Sequence, residues 1–435
     1  MKNPISSAFF LVILLLLGAL GAMYYVKAEW TPPTLALTPE QSTASTRTVF
    51  TITAADKDSA LRSLHVVAVQ GGNTADIINK TLPPGTRELR EEFSLPKAGL
   101  KNEPLTLTIT VKDTSWHRLG RGNRAQIVRQ MDIDSKPPVI SVLSGQHNVN
   151  HGGTGLVVYS TNEELAVSGV RLGDHFFPGY PYQPGKYLSF FALPYNIDPK
   201  AVTPVLVATD LAGNESTVGF NFRPLMKKFK HDSINISDNF LQSKMGQFAD
   251  LYPDATTPID LFLKVNSELR AKNVNFLLKI GKDTVPQKLW DGTFVRLPNS
   301  APMAAFADTR TYLYQGNAVD NQTHLGVDLA SLAASPIPAG NAGRIVLAEF
   351  MGIYGNVVVI DHGFGLQSLY SHLSEIHVQT GETVQRSQII GKTGATGMAG
   401  GDHLHFGMLV SGIEVQPIEW WDPQWIDHNI TSKLN

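Results

Sequence analysis

The 435-residue sequence contains no cysteine, which excludes disulfides, thiolate metal sites and a cysteine nucleophile. It also lacks an excess of charge of one sign, because 36 Lys and Arg residues face 38 Asp and Glu residues, for a net charge of −2. A balance of this kind does not indicate a basic surface for nucleic acid, so no nucleic-acid partner is expected. The length is sufficient for about two to four folded domains.

A long hydrophobic run is present only at the amino terminus. Residues 8–23 carry no charged side chain, and the apolar stretch extends over residues 5–26. A helix of that length crosses ~30 Å of hydrocarbon. Two interpretations are open: a cleaved signal peptide and an uncleaved transmembrane anchor. We favour the anchor for residues 1–29, because the run is longer than the apolar core of a usual signal peptide. Both interpretations predict that the bulk of the chain is exported.

Short segments after this run alternate apolar and polar residues. They include residues 47–53, 64–69 and 105–111, which are rich in valine, isoleucine and threonine. Alternation with a period of two, interrupted by glycine and proline, predicts a β-sandwich.

A weak internal repeat divides this β-rich part of the chain. The residues W-T-P-P at positions 30–33 are echoed by S-K-P-P at positions 135–138. Each of these segments opens a stretch of about a hundred residues, the usual size of an immunoglobulin domain. We therefore predict two immunoglobulin-like β-sandwich modules, residues 30–135 and residues 136–222.

Residues 223–283 follow a helical pattern. Ser237 or Asp238 can cap a helix over residues 239–251, and a second helix is predicted over about residues 258–271. This helical connector is expected to pack against the domain that follows it or against the substrate groove of that domain.

The last domain, residues 284–435, contains histidines in a pattern typical of a metal site. His324 and Asp328 are four residues apart and share one face of a helix or a strand. His403 and His405 are two apart and share one face of a strand, and His372 lies between the two pairs. A catalytic zinc takes three ligands of these types and keeps one position for water. The set can therefore supply three ligands and leave a histidine for proton transfer.

At these positions the sequence resembles the lysostaphin-type zinc endopeptidases, also called the LytM-domain family. The resemblance covers roughly residues 298–421. It comprises H-L-G-V-D at 324–328, Y-S-H-L at 370–373, G-A-T-G at 394–397 and H-L-H-F at 403–406.

The resemblance implies a small all-β peptidase domain whose antiparallel sheets line a groove. It implies one catalytic Zn²⁺ held by His324, Asp328 and His405, and two unligated histidines, His372 and His403. We assign His403 as the general base and His372 as the residue that stabilises the oxyanion. Arg310 and Tyr312 are expected to line the groove, and the glycine-rich residues 397–401 to form one of its walls.

The whole chain is thus predicted to be mainly β, with an N-terminal transmembrane helix, two immunoglobulin-like modules, a helical connector and a LytM-type peptidase domain. The resemblance implies that it hydrolyses peptide cross-links of peptidoglycan. The expected location is the bacterial inner (cytoplasmic) membrane, crossed once, with the bulk of the chain in the periplasm or cell-wall space. The expected partners are peptidoglycan, the membrane, and a regulatory or wall-synthesis protein.

Three alternatives are open. The first is a non-catalytic domain of the same fold that activates another wall hydrolase. The second is a zinc protease with a protein substrate. The third is an adaptor whose immunoglobulin-like modules recruit a partner.

Overall fold

The computed structural model describes residues 4–97 and 100–434. The chain forms two compact units. One unit comprises Met1–Pro138 with the short segments Glu164–Ala166 and Thr209–Glu215, and the other comprises the rest of the chain from Val139 to Asn435. The finer division into five segments stays a prediction.

The apolar run at the amino terminus forms helix α1 (Pro4–Lys27). Within it, Phe9–Lys27 has a mean hydropathy of 2.4, and none of that stretch is buried. The helix is long and apolar enough to cross a membrane, a property that a signal sequence shares.

The first unit contains a β-sandwich. Its three-stranded sheet has the order β1-β3-β6 and its five-stranded sheet the order β2-β8-β7-β4-β5, numbered along the chain. Phe50 and Ile52 of one sheet and Val66 and Ile109 of the other are buried in one core. The predicted alternation is confirmed, and the immunoglobulin-like assignment stays a prediction. The elements are β1 (Thr34–Thr38), β2 (Thr43–Ala44), β3 (Val49–Ala55), β4 (Leu61–Gln70), β5 (Asn73–Thr81), β6 (Glu88–Ser94), β7 (Pro104–Asp113), α2 (His117–Gly120) and β8 (Arg124–Ile133).

A second group of strands forms two four-stranded sheets and a two-stranded sheet. The strands are β9 (Ile140–Val142), β10 (His147–Asn150), β11 (Thr154–Thr161), β12 (Leu165–Leu172), β13 (His175–Pro178), β14 (Tyr180–Gln183), β15 (Lys186–Ala192), β16 (Val205–Asp210), β17 (Glu215–Gly219) and β18 (Phe222–Leu225). The sheet orders are β14-β15-β11-β9, β13-β12-β16-β17 and β10-β18.

A buried carboxylate links this group of strands to the end of the chain. Glu419 Oε1 accepts a hydrogen bond from Asn150 Nδ2 at 2.7 Å, and Glu419 Oε2 accepts one from the Thr154 amide at 2.9 Å. The rings of Phe190 and Trp420 lie beside this contact, with centroids 6.0 Å apart. Strands β10, β11 and β15 and the last domain of the chain therefore pack together within one unit.

Glu419 is expected to make stability depend on pH. Burial raises its pKa from 4.5 to about 7. Between these two pH values the carboxyl is therefore protonated in the folded protein and ionised in the unfolded chain. Its contribution to the free energy of unfolding therefore falls as pH rises through that window. Glu419→Gln removes the titrating group. Its free energy of unfolding, relative to that of the wild type, should therefore rise by on the order of 2 kcal/mol between pH 4 and pH 8, on top of a constant cost for the hydrogen bond that the amide NH2 cannot accept. Urea unfolding at both pH values measures this, and a pH-independent difference would contradict it.

The connector is helical and begins with a strand. Ser237 caps α3, because its side chain accepts a hydrogen bond from the Phe240 amide. The predicted first helix changes to 3₁₀ geometry at Met245, and the second extends to Ile280. The strand β19 was not predicted, because all five of its residues are exposed and no apolar alternation marks it. The elements are β19 (His231–Asn235), α3 (Asp238–Lys244), a 3₁₀ segment (Met245–Leu251), α4 (Pro258–Lys264), a π segment (Val265–Leu269) and α5 (Arg270–Ile280).

The last domain of the chain is built on an eight-stranded sheet of order β20-β23-β31-β27-β26-β25-β29, with β32 paired to β31. Its central strands, β27 and β31, are buried along their whole length. The strands are β20 (Ala301–Ala304), β21 (Asp308–Tyr314), β22 (Asn317–His324), β23 (Val327–Ala330), β24 (Pro336–Pro338), β25 (Gly343–Phe350), β26 (Asn356–Asp361), β27 (Leu366–Leu373), β28 (Glu375–Ile376), β29 (Thr383–Val384), β30 (Ile389–Lys392), β31 (Leu404–Val410) and β32 (Ile413–Val415). Helices α6 (Pro423–Ile426) and α7 (Ser432–Leu434) follow. A protein that is mainly β with one N-terminal apolar helix is thus confirmed.

Two smaller sheets, β19-β21-β22 and β24-β30-β28, flank the large one. The connector packs on the large sheet, because Leu241, Phe248 and Phe262 share a core with Val359 and Leu369. The connector is thus in contact with the large sheet of the domain that follows it, one of its two expected positions.

Candidate metal centre

Three strands of the peptidase domain bring the predicted ligands together. β22 ends at His324, and β23 is paired with β31 so that Asp328 lies opposite His405. His324 Nε2, Asp328 Oδ1 and His405 Nδ1 lie 2.9 Å from one another. The three donor atoms therefore form a compact triangle made of two imidazole nitrogens and one carboxylate oxygen, a set that zinc accepts.

Hydrogen bonds alone do not account for this triangle. His324 Nδ1 lies 2.9 Å from the Ala305 carbonyl, which can only accept, so in the neutral ring Nδ1 carries the hydrogen and Nε2 presents a lone pair. That lone pair faces a carboxylate oxygen, an unfavourable contact unless a cation lies between them. The same outer hydrogen bond is typical of metal-binding histidines, because it fixes the ring and its tautomer. The residues therefore fit a metal ion.

Asp328 is poised to stay ionised. Burial favours the protonated form of Asp328, but a protonated His324, through its charge and its hydrogen bond, outweighs burial and holds the pKa of Asp328 well below its usual value. Arg310 Nη2 lies 3.5 Å from Asp328 Oδ2 and adds a further positive charge on the outer oxygen. The carboxylate can thus bind a cation through Oδ1 while Oδ2 faces Arg310.

His372 points at the centre because the backbone is irregular there. An extra residue in β27 shifts the pairing with β26 between Asn356 and Val358, and His372 has a φ of +67°. A bulge of this kind redirects a side chain, and a positive φ outside glycine marks a strained position. His372 Nδ1 donates to the Thr396 carbonyl at 2.9 Å, which leaves Nε2 unprotonated in the neutral ring.

The two remaining histidines lie next to each other beside the triangle, with their ring planes tilted by 51°. The ring centroids of His372 and His403 are 4.9 Å apart. Burial and the neighbouring histidines lower the pKa of His372 well below its usual value. Burial acts in the same direction on His403, but its hydrogen bond to Asp328 prevails and raises its pKa. One ring is thus held neutral and the other is more readily protonated, and which of them is the base stays a prediction.

Close packing requires glycine at the third position of the H-x-G-x-D motif, Gly326. A Cβ at Gly326 would lie 2.4 Å from His405 Nε2 and 2.8 Å from the Phe406 carbonyl. Only glycine lets β23 approach the ligand ring this closely.

Gly326→Ala is therefore expected to displace the His405 ring. The substitution should lower zinc affinity by about 10–100-fold, as happens when the surroundings of a ligand are disturbed. Titration with a competing chelator measures the affinity. Gly316→Ala is a suitable comparison, because a Cβ there meets no atom within 4 Å, although its positive φ adds strain. Equal zinc affinity in the Gly326 variant and the wild type would contradict this explanation.

The triangle forms the floor of a cavity of about 650 Å³. Arg310 and Tyr312 line it, as predicted, and so do residues 398–401 of the glycine-rich wall. The opposite wall comes from the connector, including Phe240 and Lys244. Sequence reasoning did not place these connector residues, because no local pattern reports a contact about 150 positions away.

His362 was interpreted as structural. It is fully buried, its Nδ1 donates to the Ala342 carbonyl, and its Nε2 lies 2.7 Å from Ser368 Oγ. Burial lowers its pKa to about 4. The ring is thus held neutral by partners that lie outside the triangle.

Comparison with known proteins bears on this part of the chain. Residues 322–417 match Peptidase family M23. The matched segment contains all three donors of the triangle together with His372 and His403. It confirms the resemblance to lysostaphin-type peptidases on which the sequence analysis relied.

Relatives are similar over the same segment. The DD-carboxypeptidase/endopeptidase Mpg of Neisseria meningitidis is 37% identical over 95 residues, 22% of either chain. The peptidoglycan DD-endopeptidase ShyA of Vibrio cholerae is 38% identical over 96 residues, again 22% of either chain. The chain thus spans about a fifth of the length of these curated relatives. A solved structure of a putative M23 peptidase from Pseudomonas aeruginosa aligns over 62% of this chain and 93% of its own, with 19% identity and a TM-score of 0.39.

Proposed function

We propose that the protein is a zinc metallo-endopeptidase that hydrolyses peptide cross-links of peptidoglycan and so remodels the cell wall. The observation that supports this most directly is the triangle of His324, Asp328 and His405, in which the hydrogen bond to the Ala305 carbonyl leaves a lone pair aimed at a carboxylate oxygen. A zinc ion held by these residues would lower the pKa of a bound water to about 7 and polarise the scissile carbonyl.

The chain's own residues supply the proton transfers. We assign His403 as the base that takes a proton from the attacking water and returns it to the leaving amine. We assign His372 as the residue that stabilises the oxyanion, which requires a proton on Nε2 because Nδ1 already donates to the Thr396 carbonyl. With Nε2 unprotonated, the two histidines exchange these roles. Arg310 steadies the outer oxygen of Asp328.

The substrate class is supported by the names of the relatives, which include a peptidoglycan DD-endopeptidase and a DD-carboxypeptidase/endopeptidase. The apolar helix α1 is consistent with export and supports an enzyme of the inner membrane with its bulk in the periplasm or cell-wall space. A regulatory or wall-synthesis protein is the expected partner.

Two alternatives lead to different experimental results. One is a non-catalytic activator of another wall hydrolase. A zinc protease with a protein substrate is the other.

The test is to incubate full-length protein in detergent with purified peptidoglycan and, separately, with casein. We expect mass spectrometry to show cross-linked muropeptides converted to monomers with new peptide amino termini, and casein to remain intact. Cleavage of casein alone would identify a protein protease. Zinc binding without cleavage of either substrate would support the activator.

A further inference from the structure

Three consecutive carbonyls of one loop are each bound by a side chain. The loop comprises residues 395–402, and its ends are joined by the bridge between Gly394 and His403. His372 Nδ1 donates to the Thr396 carbonyl at 2.9 Å. The carbonyls on either side of it are bound from the connector, because Lys244 Nζ donates to Ala395 at 2.6 Å and Gln247 Nε2 donates to Gly397 at 3.0 Å.

The peptidase domain fixes the inner side of this loop. Thr396 Oγ1 donates to the Leu373 carbonyl and accepts from the Asn356 amide, both at 2.9 Å. A Cβ at Gly397 would lie 2.4 Å from the Gly355 nitrogen, so the two backbones are in close contact. The outer side of the loop faces the connector. The hydrogen bonds from Lys244 and Gln247 hold this side of the loop to the connector.

The connector is a firm base for these two donors. Leu241, Met245 and Phe248 alternate with the donors along this stretch of the connector and are buried in the core shared with the peptidase sheet. Gln247 is also fixed, because its Nε2 donates to the Lys244 carbonyl at 2.9 Å as well as to the loop. The backbone that carries both donors is therefore held by packing.

We propose that Lys244 and Gln247 are positioning residues that act on His372 through the Thr396 carbonyl. The inference rests on the proposed function for the part that concerns turnover. The strained backbone at His372 does not determine the ring's tautomer, whereas the Thr396 carbonyl does, because it can only accept a hydrogen bond. The connector thus supports the active site. A shift of the connector lowers activity without removing any of the three metal ligands.

The experiment replaces both donors with side chains of similar size that cannot donate, Lys244→Met with Gln247→Leu, in the full-length protein. Each hydrogen bond contributes a modest net free energy, so we expect kcat for peptidoglycan to fall about tenfold while zinc content is unchanged. In protein labelled with ¹⁵N-histidine, exchange of the His372 Nδ1–H with water should become about tenfold faster. The single variant Lys244→Arg, with Gln247 unchanged, keeps a donor at this position. Its kcat and its His372 exchange rate should both stay close to the wild-type values.

The matched control is Lys279→Met with Gln242→Leu. Both residues are exposed on the same connector, and both measurements should remain at the wild-type value. Unchanged kcat and unchanged His372 exchange in the Lys244/Gln247 variant would overturn the proposal. Loss of zinc from that variant would overturn it as well, because it would show general damage to the site. If the wild type cleaves no peptidoglycan, the proposed function fails, and the exchange rate of His372 still decides whether the connector positions this ring.

Discussion

Asp328→Ala is expected to abolish zinc binding and peptidoglycan hydrolysis together. Asp328 Oδ1 lies 2.9 Å from the ligating nitrogens of both His324 and His405, and it is the only anionic donor in the triangle. Without it, two neutral imidazoles face a buried site with no charge to balance a divalent cation. Activity should fall by on the order of 10³-fold or more, because the remaining residues cannot generate a nucleophile from water near neutral pH.

Metal analysis of the purified protein and release of soluble muropeptides measure these two effects. Asp291→Ala is the matched control, because that carboxylate is fully exposed on the same domain and should affect neither quantity. Wild-type zinc content in the Asp328 variant would show that the metal is bound elsewhere, and the assignment of the triangle would be wrong.

His372→Ala and His403→Ala are each expected to slow turnover by on the order of 10²–10⁴-fold and to leave zinc content unchanged. Both rings lie next to the triangle but contribute none of its three donor atoms, and His403 Nε2 is 3.5 Å from Asp328 Oδ1. They can therefore move protons without holding the metal.

The measurement is kcat on purified muropeptides beside the zinc content of each variant. His377→Ala serves as the control, since His377 pairs with Glu375 on the surface and should keep wild-type activity. Loss of zinc from the His372 or His403 variant would contradict the division into ligands and proton-transfer residues.

The residues of the candidate site could be predicted from the sequence, because the chemistry of a metal site requires particular residue types at short spacings. The spacing of His403 and His405 places two side chains on one face of an extended segment. His324 and Asp328 do not share a strand, because β22 ends at His324 and Asp328 lies in β23, where it pairs opposite His405. The orientation of His372 was not readable, since it depends on an extra residue in β27 and a positive φ that no motif letter specifies.

The elements of the fold could be predicted to a similar extent. Alternation predicted the strands that have one buried face, as in β3 and β7. It did not predict β19, whose residues are all exposed, nor the change from α to 3₁₀ geometry at Met245. The contacts of Lys244 and Gln247 with the loop are set by tertiary packing, which local patterns do not encode.

The most direct test of the account compares the full-length wild type with His405→Ala, measuring zinc content and peptidoglycan turnover on the same preparations. His405 is chosen because Nδ1 completes the triangle and its buried Nε2 has no hydrogen-bond partner among the described residues. The account predicts about one zinc per chain and release of soluble muropeptides for the wild type, and neither for the variant. A wild type that binds no zinc, or a His405 variant that keeps both zinc and activity, would contradict it.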